Sequence, residues 1–421
     1  MYELIQEIIR QDQSQWPQIA GFIVFLLPLA MAFILGDMFW HIWLRYIRAK
    51  FYNSLEYVLL EIRLPKEMFK SPLAMETVLQ SIHNTADGSI YAQYWKGEYR
   101  PYYSLEIISI EGRIKFLIWT EDQRKSNLMS ALYSQYPGIE IVEHEDYTKS
   151  VQFDPAKIRI HAMEFKFTKP DPYPIKTYVD YGLDKDPKEE FKVDPLTQMI
   201  EWLGSLRPNE QAWFQFIVRA HIKEQRKPGH LFKKTDLWKD QAEEEVNKIL
   251  IRDKKSKVAG EINPETGYGK LPTISKGEQA IVEAIERSVT KLPFDVCIRS
   301  LYIAPKDVFS TPFGLGGRIA SMKQFNTEHL NGFKPNGDRW HGPLGDPWKD
   351  YQNIRRNSLG KRALRAYRRR SAFFAPFKSP VLVLNTEELA TIYHLPGGVA
   401  ATPGLARVPS KKAEAPSNLP I

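Results

Sequence analysis

The chain has 421 residues, 43% hydrophobic and 26% charged, the balance of folded protein and not of a disordered tail. That length is enough for two or more packed units, and a formal charge of +8 points to acidic partners, nucleic acid or anionic lipid, wherever the charge is concentrated. The one cysteine, Cys297, excludes a disulfide framework and a cysteine-cluster metal site, and its place in the apolar run Phe294–Ile303 marks it as a buried structural thiol.

From Ile19 to Gly36 the chain reads IAGFIVFLLPLAMAFILG, eighteen residues without a charge. At ~1.5 Å per residue this makes about 27 Å of helix, close to the ~30 Å hydrocarbon core of a bilayer. Asp37 interrupts the run, either at the headgroup boundary, the favoured reading, or facing a partner helix. Met38–Leu44 resumes it and supplies Trp40 and Trp43 for an interfacial belt. Pro28 is better tolerated in lipid than in a soluble helix. Glu3, Glu7, Arg10 and Asp12 precede the span, whereas Arg45, Arg48 and Lys50 follow it. The excess of positive charge after the span predicts a single pass over Ile19–Leu44 in the inner (cytoplasmic) membrane. Residues 1–18 are then outside and the bulk of the chain is cytoplasmic. A cleaved signal peptide fits poorly, because the leading segment is acidic and Ala30–Ala32 lies inside the apolar run.

Residues 51–150 predict a first αβ domain. Tyr57–Leu64 is strand-like, and Ser71-Pro72-Leu73 opens a helix with a capping hydroxyl and proline in the first turn. Leu73, Val78, Leu79 and Ile82 form that helix's apolar side. Ser104–Ile110 and Arg113–Thr120 alternate around Glu111-Gly112, a hairpin signal. A helix ending at Pro137-Gly138 and a strand at Ile139–Glu143 complete the order βαββαβ of a ferredoxin-like plait. A second αβ domain is expected over 151–350. Its strands are Ile158–Thr168 and Ala212–His221, its helix starts at Asp194-Pro195-Leu196, and a polar insertion at about 224–275 carries a charged helix, Trp238–Ile251, and a loop, Gly260–Gly269. A helix at Lys276–Lys291 and a strand at Phe294–Ala304 are expected to close this domain. Beyond it lie a helix at Thr311–Asn326, a Gly/Pro/Trp-rich loop at Leu330–Tyr351, and a basic segment with a short strand and helix over 351–395. A Pro/Ala/Lys-rich tail or linker covers 396–421. The fold class is therefore α+β: one N-terminal transmembrane helix followed by ferredoxin-like αβ plait units.

The chemistry-bearing motifs are few. Gly267-Tyr268-Gly269-Lys270-Leu271 lacks the upstream glycine and the hydroxyl of a P-loop, and Gly314-Leu315-Gly316-Gly317 lacks its lysine; both read as turns. The nine histidines form no His-Glu-x-x-His pattern, and there is no Gly-x-Ser-x-Gly elbow. Glu387-Glu388 sits in the first turn of an expected helix, where acids favour the dipole. No catalytic residue, cofactor or metal is expected. Charge is concentrated in Arg355, Arg356, Lys361, Arg362, Arg365, Arg368, Arg369, Arg370 and Lys378, with Tyr351, Tyr367, Phe373, Phe374 and Phe377 interleaved and no acid among them. Such a segment can grip a nucleic-acid backbone, lie on an anionic leaflet, or form a protein or solvent face.

Several stretches resemble the membrane-proximal region of conjugative, type IV secretion coupling ATPases of candidate-phyla bacteria. They include Leu60-Glu61-Ile62-Arg63-Leu64-Pro65-Lys66, Lys70-Ser71-Pro72-Leu73-Ala74-Met75-Glu76, Tyr94-Trp95-Lys96-Gly97, Ser104-Leu105-Glu106-Ile107, Ser109-Ile110-Glu111-Gly112 and Gln135-Tyr136-Pro137. Leu384-Asn385-Thr386-Glu387-Glu388-Leu389-Ala390-Thr391, His394-Leu395-Pro396-Gly397, Thr402-Pro403-Gly404-Leu405 and Ser410-Lys411-Lys412-Ala413-Glu414 extend the likeness. In that family a similar segment leads into a RecA-like motor, which this sequence lacks, so no catalytic residues carry over. The resemblance implies a non-catalytic membrane scaffold that recruits a P-loop ATPase in trans. The bilayer, further copies of the chain and DNA are its other expected contacts.

Overall fold

The computed structural model describes residues 2–65, 70–184, 193–222, 225–226, 234–255, 275–337, 348–397, 404 and 407–408. The loop Gly260–Gly269, the fragment Gly267–Leu271, Lys66 and most of the tail after 397 lie outside them. The chain divides into two units, Met1–Leu55 with Asp87–Tyr99, and the remainder.

The first unit is built on helix α1 (Tyr2–Ser54), continuous through the expected span and both its flanks. Within Phe25–Ser54 an 18-residue window has a mean hydropathy of 1.7 and no buried residue, so α1 is long and apolar enough to cross a membrane. Asp37, expected at the span's boundary, lies 3.6 Å from His41 one turn on. A short π-helical turn, Ala92–Lys96, packs on the end of α1.

The second unit opens with β1 (Tyr57–Pro65), α2 (Leu73–Ile82), β2 (Tyr102–Ile110), β3 (Arg113–Glu121), α3 (Asp122–Gln135) and β4 (Glu140–Glu143). The strands are antiparallel in the order β4-β1-β3-β2. The β2–β3 turn places Glu111 at φ 55° and Gly112 at φ 82°, the paired left-handed geometry that a two-residue hairpin needs. The start of α2 departs from expectation. Pro72 is its N-cap, and Ser71 Oγ donates to Leu183 O at 2.8 Å, leaving only a long 3.4 Å contact from Leu73 N. Leu73 is exposed, and Met75 takes its place beside Val78, Leu79 and Ile82 on the buried face.

The chain continues through β5 (Ile158–Phe167), α4 (Thr197–Gly204), β6 (Gln211–Ala220), the two-residue β7 (Gln225–Arg226) and β8 (Lys234–Thr235), α5 (Leu237–Lys255), α6 (Lys276–Thr290), β9 (Pro293–Pro305), α7 (Thr311–Lys323) and β10 (Phe333–Pro335). Here the order is β10-β5-β9-β6, again antiparallel. With α5 and α6 set aside, the element order of the first half recurs. The half is therefore completed by α7 and β10 and not by α6 and β9. The two halves share one sheet: β2 pairs with β6 along its whole length, from Tyr102 against Arg219 to Ile110 against Gln211. The expected domain limit at residue 150 thus lies between strands of a single ten-stranded sheet.

Among the described residues there follow α8 (Ile354–Arg368), β11 (Leu382–Asn385), α9 (Thr386–Ile392) and β12 (Arg407–Val408). β11 extends β9, and α9 packs on α2. Strand alternation separates the two faces of the sheet. Leu60, Ile107, Phe116, Phe214, Val296 and Phe165 face the core shared with α2, α3, α4, α7 and α9. The alternate residues of β2, β6, β9 and β5 face α8. Both faces are covered, so β2 and β9 read as near-continuous buried runs. The Gly314–Gly317 fragment is no turn. It lies inside α7, where a Cβ on Gly314 would stand 2.2 Å from the Tyr302 ring and one on Gly317 1.9 Å from Trp202 Nε1. Glycine here lets a helix approach the sheet and α4 closely.

Candidate functional site

The basic segment becomes a helix because charges fix both of its ends. At the N-terminus the Asp350 carboxylate accepts from Arg355 N at 2.8 Å and Arg356 N at 3.2 Å, satisfying two orphan donors and opposing the dipole. At the C-terminus a guanidinium from the sheet does the reverse. Arg299 donates to Ala366 O at 3.0 Å and Ser371 O at 3.1 Å, placing a cation against the last carbonyls.

Arg299 belongs to a polar row that crosses four adjacent strands: Glu164, Arg299, Gln215 and Glu106 are successive cross-strand partners. All four are buried. Arg299 Nε donates to Glu164 Oε1 at 3.3 Å, and Gln215 Nε2 to Glu106 Oε1 at 3.0 Å. Glu106 also accepts from Ser104 at 2.7 Å, from the Tyr147 hydroxyl at 2.8 Å and from Arg370. Burial works against the charge of Arg370, yet Glu106 and Asp146 hold its pKa well above the ordinary arginine value. Burial likewise opposes the charge of Asp146, but the bonds from Arg370 and Thr148 keep its pKa below the usual carboxylate value. The row secures the underside of α8.

These anchors sort the nine expected site residues. Arg370 is buried in an ion-pair network and is no surface contact. Arg368 is half-buried, donating to Thr148 O at 3.0 Å and to Val151 O. Arg356 is half-buried at the start of α8. Arg355, Lys361, Arg362, Arg365, Arg369 and Lys378 are exposed. Arg355, Arg362, Arg365 and Arg369 follow one another at intervals of seven, three and four, one outward face about 21 Å long. Lys361, Arg362 and Arg365 make no ion pair among the described residues. The expected stacking aromatics do not join this face. Tyr367, Phe373 and Phe377 are buried, Phe374 is half-buried, and only Tyr351 is open.

Beside the first turn of α8 lies an open cleft of about 290 Å³ lined by Arg159, Lys306, Gln352, Asn353, Arg356 and Asn357. Gln352 and Asn353 both adopt left-handed backbone, at φ 51° and 59°. Arg159 lies 4.6 Å over the Phe309 ring. Its pKa is lowered by burial and then by the charge of Arg356. Three cations and three carboxamides converge on one depression, a donor set suited to phosphate oxygens.

Three further groups of titratable residues tie elements together. Glu387 and Glu388 are in the first turn of α9 as expected, but both are buried. Lys291 Nζ bridges Glu76 and Glu387 at 2.8 Å each, and Arg287 reaches Glu387 at 3.0 Å. Glu388 accepts from Ile175 N and, in a capping box, from Asn385 N, each at 2.9 Å. Burial pushes its pKa up to about 8. On the opposite face His221 Nδ1 lies 2.6 Å from Asp295, which also accepts from Arg219 at 2.7 Å. Burial would depress His221, but Asp295 and Asp236 outweigh it and raise its pKa. Arg318 is held by the carbonyls of Gly314, His161 and Ser300, and burial lowers its pKa. Sequence reasoning missed Glu106, Glu164, Arg299 and His221. Isolated charges within apolar strands, Glu106 in YYSLEIISI and Asp295 and Arg299 in FDVCIRSLYIA, were the available signal.

A family model described as a domain of unknown function (DUF8128) matches residues 50–408. The match spans most of the chain, which therefore belongs to that family. No curated protein matches it.

Proposed function

We propose that this DUF8128 member is a non-catalytic, membrane-anchored scaffold of a type IV secretion-like or conjugative DNA-transfer apparatus, recruiting a separate DNA-translocating P-loop ATPase. The observation that carries the reading is α1, whose 18-residue apolar window holds no buried residue. In this reading α1 is a single pass through the cytoplasmic membrane, with the N-terminus outside and the second unit cytoplasmic, following the charges that flank the span. The two halves of the sheet are ferredoxin-like plaits. The orders β4-β1-β3-β2 and β10-β5-β9-β6, each with its two crossover helices, support this. A scaffold role agrees with where the buried carboxylates are engaged: Glu76, Glu106, Glu164 and Glu387 pair with Lys291, Arg370, Arg299 and Arg287 to hold elements together. The platform acts through its surfaces, toward the motor and toward further copies of itself. Affinity purification of the full chain from gently solubilised membranes should bring down a nucleotide-hydrolysing partner. Recovery of the chain with no such partner would sink the motor-recruiting role.

The outward face of α8 favours a second role, direct contact with a polyanion such as DNA. Arg355, Arg362, Arg365 and Arg369 form a linear array of the kind that tracks a phosphate backbone, with the Arg159–Lys306–Arg356 cleft at one end.

A further inference from the structure

The segment Asp87–Tyr99, though inserted between α2 and β2 in the sequence, packs with α1. Its seat is tight. Gly97 has φ 78°, and a Cβ there would stand 2.4 Å from Ile47 O, so the turn closes on the helix only with glycine. Trp43 Nε1 donates to Tyr94 O at 3.0 Å, and Trp40 stacks on Tyr94 with ring centroids 5.7 Å apart. Trp43 meets Trp95 edge-on at 5.8 Å, and Phe51 meets Tyr99 at 5.2 Å.

This packing uses only part of the aromatic surface. Ile90 remains 77% exposed, Tyr91 62% and Trp95 59%, and Phe39 and Tyr46 of α1 are similarly open. A soluble protein would be expected to fold such a cluster inward. Cations accompany it: Arg45, Arg48 and Lys50 on α1, and Lys96, whose ammonium lies 5.9 Å from the Tyr91 ring. Along α1 a bare apolar stretch is followed by Trp40 and Trp43, then by Arg45, Arg48 and Lys50 with Tyr46 among them. That is the order of hydrocarbon, interface and anionic headgroup across one leaflet of a bilayer.

We infer that Asp87–Tyr99 is a second membrane-contacting element, an interfacial clamp that inserts Ile90, Tyr91 and Trp95 at headgroup depth in an anionic phospholipid leaflet. Its partner is lipid, and its effect is to fix how deeply α1 sits. The inference rests on reading α1 as a membrane span, and the test separates the two. The full chain is reconstituted into vesicles of phosphatidylcholine and phosphatidylglycerol, with an environment-sensitive fluorophore on Ile90→Cys or, separately, on Phe33→Cys; the buried Cys297 stays unlabelled under native conditions. Quenching by lipid-borne nitroxides is then compared with quenching by aqueous iodide. Both probes reached from lipid and shielded from iodide is the expected result. A Phe33 probe in lipid with an Ile90 probe open to iodide overturns the clamp and leaves the span standing. Both probes open to iodide overturns both. Amide hydrogen exchange on the unaltered chain provides a readout independent of labelling. Exchange over residues 87–99 should slow at least about tenfold on transfer from detergent to anionic vesicles, and unchanged exchange overturns the clamp.

Discussion

Arg370 and Glu106 meet in the interior of the second unit, Nε 2.8 Å from Oε1 and Nη2 3.3 Å from Oε2, joining the turn after α8 to the middle of β2. Removing one member strands the other charge in a region that water does not reach. Arg370→Met should therefore cost about 3–5 kcal/mol. Arg365→Met, on the exposed face of the same segment, should change stability by less than about 0.5 kcal/mol. Urea denaturation of the full chain in detergent, followed by tryptophan fluorescence, measures both. Adding Glu106→Gln to Arg370→Met should restore part of the loss, because it removes the orphaned charge. Equal, small effects for the two arginine substitutions would mean that the buried pair does not hold α8.

Glu388 makes stability depend on pH in a definite direction. The folded carboxyl keeps its proton up to about 8, whereas the unfolded one releases it near 4.5. Between these values the unfolded state binds fewer protons, so stability falls as pH rises through the window and levels off above it. Glu388→Gln cannot titrate and should flatten that part of the profile, while losing one of two accepted backbone bonds at a pH-independent cost of about 1–3 kcal/mol. Melting temperatures across this range check the slope. Parallel profiles for the two proteins would contradict the assignment.

The glycines of α7 predict opposite signs within one helix. Gly317→Ala drives a methyl into Trp202, at 1.9 Å before relaxation, and should destabilise by about 1–3 kcal/mol. Gly316 has nothing within 4 Å of an added Cβ and lies on the exposed side. Gly316→Ala should then stabilise by about 0.5–1 kcal/mol through helix propensity alone. Chemical denaturation of the two variants gives the comparison; a shift of the same sign in both would contradict this packing of α7.

For the polyanion role, Arg362→Glu with Arg365→Glu should weaken binding of a short DNA duplex, measured by fluorescence anisotropy. The plot of log affinity against log salt should lose about two units of slope, near 0.9 per phosphate contact. Neither residue holds the fold, so the far-ultraviolet circular dichroism should not move. Unaltered affinity and slope would remove α8 from the interface.

Elements carried by local chemistry were legible in the sequence. Glu111-Gly112 specified its hairpin because the two-residue turn demands left-handed backbone, and the apolar run of α1 needed only its length. What stayed hidden depends on distance along the chain. No local window distinguishes Arg370 from Arg369, yet the first meets Glu106 far away in sequence and the second faces outward. The β2–β6 seam was equally invisible: each strand reads as buried on both faces, but neither names its neighbour. Glycines in α7 read as a turn because their reason, the rings of Tyr302 and Trp202, comes from other elements.

The segment β11–α9 has a consequence for how the protein is made. β11 completes the edge of β9 in the second half of the sheet, while α9 lies on α2 from the first half, with Leu389, Ile392 and Tyr393 fully buried. A nascent chain therefore displays its N-terminal apolar helix early, but cannot seal its core until residues near 395 have cleared the ribosome. Until then the surfaces of α2 and β9 that await this segment stay uncovered, an interval in which a chaperone or a neighbouring nascent chain competes for them. Ribosomes stalled just short of the segment should hold a chain that is still protease-sensitive, so it is the arrival of β11 and α9 that sets the moment of commitment.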